Sequence, residues 1–396
     1  MKRLTEYLSP VRSHDLTGSC VLLTFFLFPT GTAPPVISFS LAIVVWFFSG
    51  KFSALKSIAG QPWFWPVLPL VILPWAGLLY SQNMELGLDY AEKSKYWLAV
   101  LLTAGMAFTD RRMEILIAGL WAGLSIGAVL AAIQFFGIMP PVKDGHLGFG
   151  IVHTLISMYL IIGLLMVSFY FRSTESRKKR LALLLLFGLF LFHLAVLRGR
   201  SGYLIFGLVS PLIANNLMHR FSFKAKSVVC FSLLGILLLS PVVRTVVQDS
   251  YVKLNQQKTE ILRGERSEDF IRFYITTETL KLIKEHPILG IGTGSLTEPT
   301  KAKGHLVTHP HNNILYMWVS FGIAGLAACL WLFWTMLKLS WKSRESAVGF
   351  FVLSSCIVMF MGGMFDTSIL NTGTLLFLTL SYGLLHHLPN TDKPRE

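Results

Sequence analysis

Long runs of apolar residues, separated by short polar segments, dominate the pattern of this chain. A helix needs about 20 such residues to cross the hydrocarbon core of a bilayer. On that basis the pattern predicts an all-α polytopic membrane protein with about twelve transmembrane helices. The predicted spans are 16–33, 35–50, 62–80, 96–109, 113–137, 147–171, 181–197, 201–219, 226–243, 311–337, 346–364 and 370–388.

The connection 244–310 is the one segment long enough to form structure outside the bilayer. Within it, residues 267–286 predict an amphipathic helix, since Ser267 is suited to cap its start and Pro287 to stop it. We expect this helix to lie flat on the membrane surface. Its apolar face would carry Ile271, Tyr274, Ile275, Thr279 and Leu282.

Basic residues are distributed unevenly between alternate connections. With the N-terminus in the cytoplasm, the cytoplasmic segments hold 20 of the 35 Lys and Arg, and the short external loops hold five. The positive-inside rule therefore predicts that both termini are cytoplasmic and that 244–310 is external. The chain then divides into 1–243 with helices 1–9, the loop 244–310, and 311–396 with helices 10–12 and a short cytoplasmic tail.

Composition agrees with a protein whose solvent is lipid. Apolar residues make up 53% and charged residues 14%, whereas a soluble domain carries about 25% charge. The net charge of +14 is spread over short clusters between apolar runs. It therefore indicates topology and no nucleic-acid partner. The four cysteines lie inside apolar runs, which excludes a disulfide framework.

Two arginines stand where two predicted spans meet on the outer side. Arg198 and Arg200 flank Gly199, and ionisable residues near membrane depth favour a functional role. The alternative is that each side chain reaches from a helix end to the interface. Together with Arg272 of the long segment they would suit phosphate, because the planar guanidinium binds its oxygens bidentately.

Three histidines, His305, His309 and His311, precede the tenth predicted span. No cysteine or carboxylate stands at ligand spacing, so the sequence disfavours a metal site. His311 follows Pro310 at the start of a helix, where the dipole disfavours the imidazolium and favours a ring that accepts a proton. The alternative is a histidine that only caps the helix.

The glycine-rich stretch 290–294 lies between these groups. A phosphate-binding loop needs a preceding strand and a following helix, and the pattern predicts neither. A flexible turn returning the chain to the membrane is favoured, and close approach to a bulky lipid-linked substrate is the alternative.

Three short motifs resemble those of the O-antigen ligase and polymerase family of bacterial envelopes. His311-Asn312, nine residues, then Gly322-x-x-Gly325 resembles its ligase motif. Arg200-Ser201-Gly202 resembles a short Arg-x-Gly signature, and Arg272 followed by His286-Pro287-x-x-Gly290-x-Gly292 resembles its long-loop segment. The family often has Trp just after the loop arginine, where this chain has Phe273 and Tyr274.

The resemblance implies a GT-C-like fold and a glycosyl transfer on the periplasmic face of the inner membrane. The donor would be a glycan on undecaprenyl diphosphate and the acceptor a sugar hydroxyl of lipid A-core. Arg200 and Arg272 would bind the diphosphate and His311 would be the general base, in an inverting reaction without metal or cofactor. Supporting roles would fall to Arg198, His309, Asn312, Gly322 and Gly325, and both glycines would share the side of the tenth helix that carries His311.

Other functions fit parts of the pattern. Within the family, a polymerase would add the glycan to another lipid-linked glycan, and a protein O-oligosaccharyltransferase would add it to protein. From a different class, a secondary transporter would also have about twelve spans, but it would place its charges near the midplane in repeated halves.

Overall fold

The computed structural model describes residues 16–49, 53–143, 145–239, 268–301 and 307–388, together with residues 245 and 248. All regular elements in this part of the chain are helical. The expected all-α class is therefore confirmed for the described residues.

The helices follow one another with short connections, several of them through single 3₁₀ turns. In chain order the α-helices are α1 (Leu16–Leu27), α2 (Ala33–Phe48), α3 (Ser53–Ala59), α4 (Val67–Ala76), α5 (Met84–Lys93), α6 (Val100–Gly105), α7 (Asp110–Phe135), α8 (His153–Ser173), α9 (Arg177–Val196), α10 (Arg200–Leu217), α11 (Phe223–Leu239), α12 (Glu268–Glu285), α13 (Thr297–Lys301), α14 (Asn313–Lys342), α15 (Ala347–Gly363) and α16 (Thr372–Gly383).

Helix α8 is the centre of the bundle. Each of its residues from Leu155 to Ser168 is buried, and a helix that is apolar and covered all round belongs to the core. It packs against α9, α10 and α15. Around it the outer helices expose large apolar side chains, such as Phe48, Leu185 and Trp334, which suits a surface in contact with lipid.

Four helices in the described part of the chain are long and apolar enough to cross a membrane: α7, α8, α9 and α14. Shorter apolar helices occur at Leu16–Thr30, Ala33–Phe48, Val67–Tyr80 and Ala347–Gly363. These apolar helices indicate a membrane protein. The total of twelve transmembrane helices stays a prediction.

The predicted span 96–109 differs most from the structure. A 3₁₀ helix occupies Ser94–Ala99, and the α-helix that follows, α6, has only six residues. These elements follow α5 without a gap, so residues 84–105 form one continuous helical stretch whose hydrogen bonding changes twice, and residues 106–109 are not helical. An apolar run predicts burial, but it does not fix where the helix that carries it begins and ends.

Antiparallel packing brings several helix ends together. Gly362 of α15 abuts Met158 of α8, and Gly363 abuts Asn313 at the start of α14. The start of α10 lies on the start of α8, where the hydroxyl of Ser201 is 3.3 Å from that of Thr154. The starts of α8, α10 and α14 and the end of α15 therefore share one end of the bundle, which we call the His311 end.

The predicted helix of the long segment is present as α12, but its apolar face is covered by protein. Ile275 and Ile283 form a buried cluster with Trp318 and Val319 of α14. Thr279 between them is also buried. The expectation of a helix lying on headgroups is therefore corrected, because the apolar residues that suggested it pack on α14.

Candidate functional site

His311 stands immediately before α14 in an unusual backbone conformation. Its φ of 52° makes it the one non-glycine residue in the left-handed region within the described part of the chain. That conformation costs roughly 1–2 kcal/mol for a residue with a side chain. Such strain is concentrated at functional sites. Here it turns the imidazole towards the loop after α15, where Nδ1 lies 3.4 Å from Oδ1 of Asp366.

The Asp366 loop is tied to the start of α14 by hydrogen bonds. The Asn312 backbone N–H donates to the Thr367 hydroxyl (3.1 Å), and the Asn312 side chain donates to the Met364 carbonyl (3.2 Å). The Asn313 side-chain oxygen accepts from the Ile369 N–H (3.2 Å). These bonds hold His311 and Asp366 in a defined relation, as a preorganised site requires.

His309 completes a cluster with this pair. Its ring centroid is 4.4 Å from that of His311, and burial, with a smaller contribution from His311, lowers the pKa of His309 to about 4. Burial alone would raise the pKa of Asp366, but the hydrogen bond from His311 and the neighbouring imidazoles hold it below its usual value. Asp366 is thus ionised and His309 neutral at physiological pH. His305 lies outside the described residues.

Arg198 and Arg200 lie exposed at the start of α10, at the His311 end of the bundle. Gly199 and Gly202 are buried between them and α8, and a side chain on Gly202 would collide with Ser157. The Arg-x-Gly sequence therefore has a physical reason. The glycine lets α10 close on α8 while the arginine remains at the surface.

The third predicted arginine is Arg272, in the first turns of α12. Its side chain lies outside the described part of the chain, although α12 itself packs on α14 beyond His311. The structure thus brings His309, His311 and Asp366 into contact and puts Arg198 and Arg200 at the same end. Convergence of the arginines with His311 stays a prediction.

Helix α14 is broken at Gly322, whose φ of 60° and ψ of −151° are not helical. The break leaves backbone groups without their intrahelical partners. Residues from the long segment supply the missing bonds. The Val319 carbonyl accepts from the Ile291 N–H (2.8 Å), and the Ile323 N–H donates to the Pro287 carbonyl (3.0 Å).

The glycine-rich stretch 290–294 is therefore neither a flexible turn nor a phosphate loop. Gly290, Gly292 and Gly294 have positive φ, and the stretch is buried. The N–H groups of Ile291, Gly292 and Thr293 already donate to carbonyls of α14 and of Gly77. No set of free N–H groups remains there to bind a phosphate.

The expectation that Gly322 and Gly325 share the side of His311 is corrected for the same reason. It assumed an uninterrupted helix, whereas the helix is broken between His311 and Gly325. A side chain at Gly325 would collide with the Met317 carbonyl, so this glycine lets the two halves of α14 approach one another. The two glycines of the motif shape the break.

The sequence model described as O-antigen ligase matches residues 147–330. Over these residues, somewhat under half of its length, the chain is similar to the O-antigen ligase family. A search of curated proteins found no match.

The O-antigen ligase match covers Arg198, Arg200, Arg272, His311 and the broken part of α14. The family resemblance inferred from the three motifs is thus confirmed. Asp366 lies beyond the matched residues, and sequence reasoning assigned it no role. The signal was present, because Asp366 is a carboxylate just after the predicted span 346–364, but its partner stands 55 residues away along the chain.

Proposed function

We propose that this protein is an O-antigen ligase that transfers a glycan from undecaprenyl diphosphate to a sugar hydroxyl of lipid A-core. The reaction would occur on the periplasmic face of the inner membrane, with both termini of the chain in the cytoplasm. The observation that carries the proposal is the His311–Asp366 pair, held at the end of the bundle that also bears Arg198 and Arg200. Support comes from the match of residues 147–330 to the O-antigen ligase family.

The pair has the arrangement of an oriented general base. An ionised Asp366 can only accept a hydrogen bond, so it favours the tautomer in which Nδ1 of His311 carries the hydrogen. The lone pair is then on Nε2, which is available to the acceptor hydroxyl. A carboxylate that fixes the tautomer and stabilises the imidazolium plays this part in other His-dependent transferases and hydrolases.

Every proton, bond and electron pair of the glycosyl transfer can be accounted for without a cofactor. The acceptor hydroxyl gives its proton to Nε2 of His311 while its oxygen attacks the anomeric carbon from the face opposite the diphosphate. The bond from that carbon to the phosphate oxygen breaks, and its electron pair leaves with the diphosphate. Arg200 and Arg272 would meet this growing negative charge, the largest contribution that preorganised donors make. One displacement inverts the anomeric centre.

The direct test is transfer in vitro by the purified protein, from a lipid-linked glycan to purified lipid A-core, with and without a chelator. We expect product in both reactions, with the inverted linkage by NMR. Lipopolysaccharide from a deletion strain separates the alternatives. A core with no glycan supports the ligase, and a core with one repeat unit supports a polymerase. Solute transport without any new glycosidic bond would favour a transporter.

Asp366→Asn is expected to lower kcat by about 10²–10⁴-fold and leave KM for the acceptor close to wild-type. An amide cannot stabilise the imidazolium, and it permits the wrong tautomer, but substrate contacts are unchanged. Steady-state kinetics measure this split, and Asp366→Glu should recover part of kcat. The control is Glu92→Gln, an exposed carboxylate beside Lys95. A loss confined to KM would contradict the positioning role.

Arg272→Lys is expected to lower transfer by about 10²-fold or more, nearly as far as Arg272→Ala. Lysine keeps the charge but cannot make the bidentate contact with phosphate oxygens. The control is Lys284→Ala, an exposed cation on the same helix. Initial rates at saturating acceptor measure the effect, and full activity of the Lys variant would argue against bidentate binding.

A further inference from the structure

We propose that His309, His311 and Asp366 form a binding site for a divalent transition-metal ion of the zinc type, and that the bound ion inhibits transfer. The binding site stands on the geometry alone. The inhibition rests on the proposed function, because it follows from the role of His311 as general base.

The spacing of the three side chains suits zinc. One ligand atom from each lies within 4.8 Å of the other two. Nitrogen and oxygen ligands sit about 2.0–2.1 Å from zinc in a tetrahedron, which places neighbouring ligand atoms roughly 3.3 Å apart. Nδ1 of His311 and Oδ1 of Asp366 are 3.4 Å apart. That distance is at the long end of the range for a hydrogen bond, and it is also close to one edge of such a tetrahedron.

The chemistry of the ligands selects the class of ion. Two imidazoles and one carboxylate suit zinc, copper or nickel, whereas magnesium and calcium prefer oxygen ligands. Three protein ligands with a fourth position left to water form the open type of zinc site. The sequence argued against a metal because no carboxylate stands near the histidines along the chain. Asp366 supplies that carboxylate from the loop that follows α15.

The backbone around the ligands is already fixed. The Asp366 loop is bound to Asn312 and Asn313 at the start of α14. On the other side, the Tyr90 hydroxyl donates to the Thr308 carbonyl next to His309 (3.4 Å). Lys93, whose charge contributes to the lowered pKa of His309, is paired with Asp89 (2.8 Å), which offsets its repulsion of a cation. Little ordering is then left for the ion to impose.

Occupation of this site would disable the proposed base. The ion coordinates Nδ1 of His311 and also the Asp366 carboxylate, which otherwise orients the ring. The positive charge of the ion opposes protonation of the same imidazole. The acceptor hydroxyl then has no group to receive its proton. Removal of the ion by a chelator restores the pair, so the inhibition should be reversible.

The test begins with metal binding by the purified full-length protein in nanodiscs, carrying a tag without histidines. Cobalt(II) is the probe, because its visible absorption is strong in tetrahedral sites, and zinc is added to displace it. We expect one cobalt per chain. His309→Gln and Asp366→Asn should each weaken binding by about tenfold or more. The control His286→Gln, an exposed histidine at the end of α12, should bind as the wild type does.

The second measurement is transfer by the wild type across the same zinc concentrations. With no cobalt present, we expect the rate to fall over the zinc concentrations that displace cobalt in the binding measurement, and to return with a chelator. Absence of a cobalt signal, unchanged binding by His309→Gln, or acceleration by zinc would each overturn the proposal. Equal inhibition of the wild type and His309→Gln would mean that zinc acts on the phosphorylated substrates, which also overturns it. A protein that binds cobalt but never transfers glycan would retain the metal site and contradict the proposed function.

Discussion

Replacing His311 by alanine is expected to lower glycan transfer by about 10²–10⁴-fold, the usual contribution of a general base. The acceptor hydroxyl is a weak nucleophile unless its proton leaves as the bond forms, and Nε2 of His311 is the acceptor that the Asp366 contact makes available. Binding of the lipid-linked donor should persist, because the arginines are intact. Rates with saturating donor and acceptor, together with donor binding, measure the two effects separately.

The unusual backbone conformation of His311 makes a matched control necessary for this substitution. Alanine at a φ of 52° loses roughly 1–2 kcal/mol, so a small loss of stability is expected in His311→Ala. Asparagine tolerates the left-handed region and still donates to Asp366, but it cannot take the proton. His311→Asn should therefore unfold at the wild-type temperature and remain inactive. Substantial transfer by the folded Asn variant would show that His311 is not the base.

Much of the bundle could be predicted from the apolar pattern. Predicted spans such as 147–171 and 346–364 correspond to α8 and α15 within a few residues, because a long apolar run bounded by charges has few alternatives to a helix. The agreement is weakest at 96–109, where the chain forms the second half of a helical stretch that begins at residue 84, passes through a 3₁₀ segment and ends at residue 105. Hydropathy predicts which residues are buried, but burial does not fix the hydrogen-bonding pattern of the backbone.

The candidate site could be predicted only in part, because motif spacing relates residues that are close along the chain and does not relate residues that only the fold brings together. His311 was identified from its place before a helix and from the spacing to Gly322. Asp366 could not be paired with it, since their contact exists only because α14 and α15 pack as a hairpin and return the chain to the same end. The same limit led to the argument against metal ligands, which considered local spacing alone.

The motif glycines show a different limit. Eleven residues from His311 to Gly322 suggested three helical turns and a common face, but that inference holds only in an uninterrupted helix. The structure replaces it with a break whose orphan backbone groups bond to the 287–292 segment. Within a membrane such bonding is required, because no water is present to satisfy those groups. The spacing between His311 and Gly322 therefore reflects the place on α14 where the 287–292 segment binds.

Gly322→Ala is expected to destabilise the protein by about 3 kcal/mol or more. Its φ of 60° and ψ of −151° belong to a region that costs a residue with a side chain about 1–3 kcal/mol. The added methyl group would also collide with the Ile288 carbonyl. Relief of that collision requires the 287–292 segment to leave α14, so its backbone hydrogen bonds are lost together. Thermal unfolding in detergent and amide exchange over residues 287–294 measure the two effects.

Gly188→Ala is the matched control for this change. Gly188 lies within α9, is exposed, and has open space where a side chain would stand. Alanine favours a helix over glycine by about 1 kcal/mol, so this variant should be as stable as the wild type or slightly more so. Exchange over 287–294 should rise only in Gly322→Ala. If both variants unfold at the wild-type temperature with the segment protected, the glycine is not what permits the loop to dock into the broken helix.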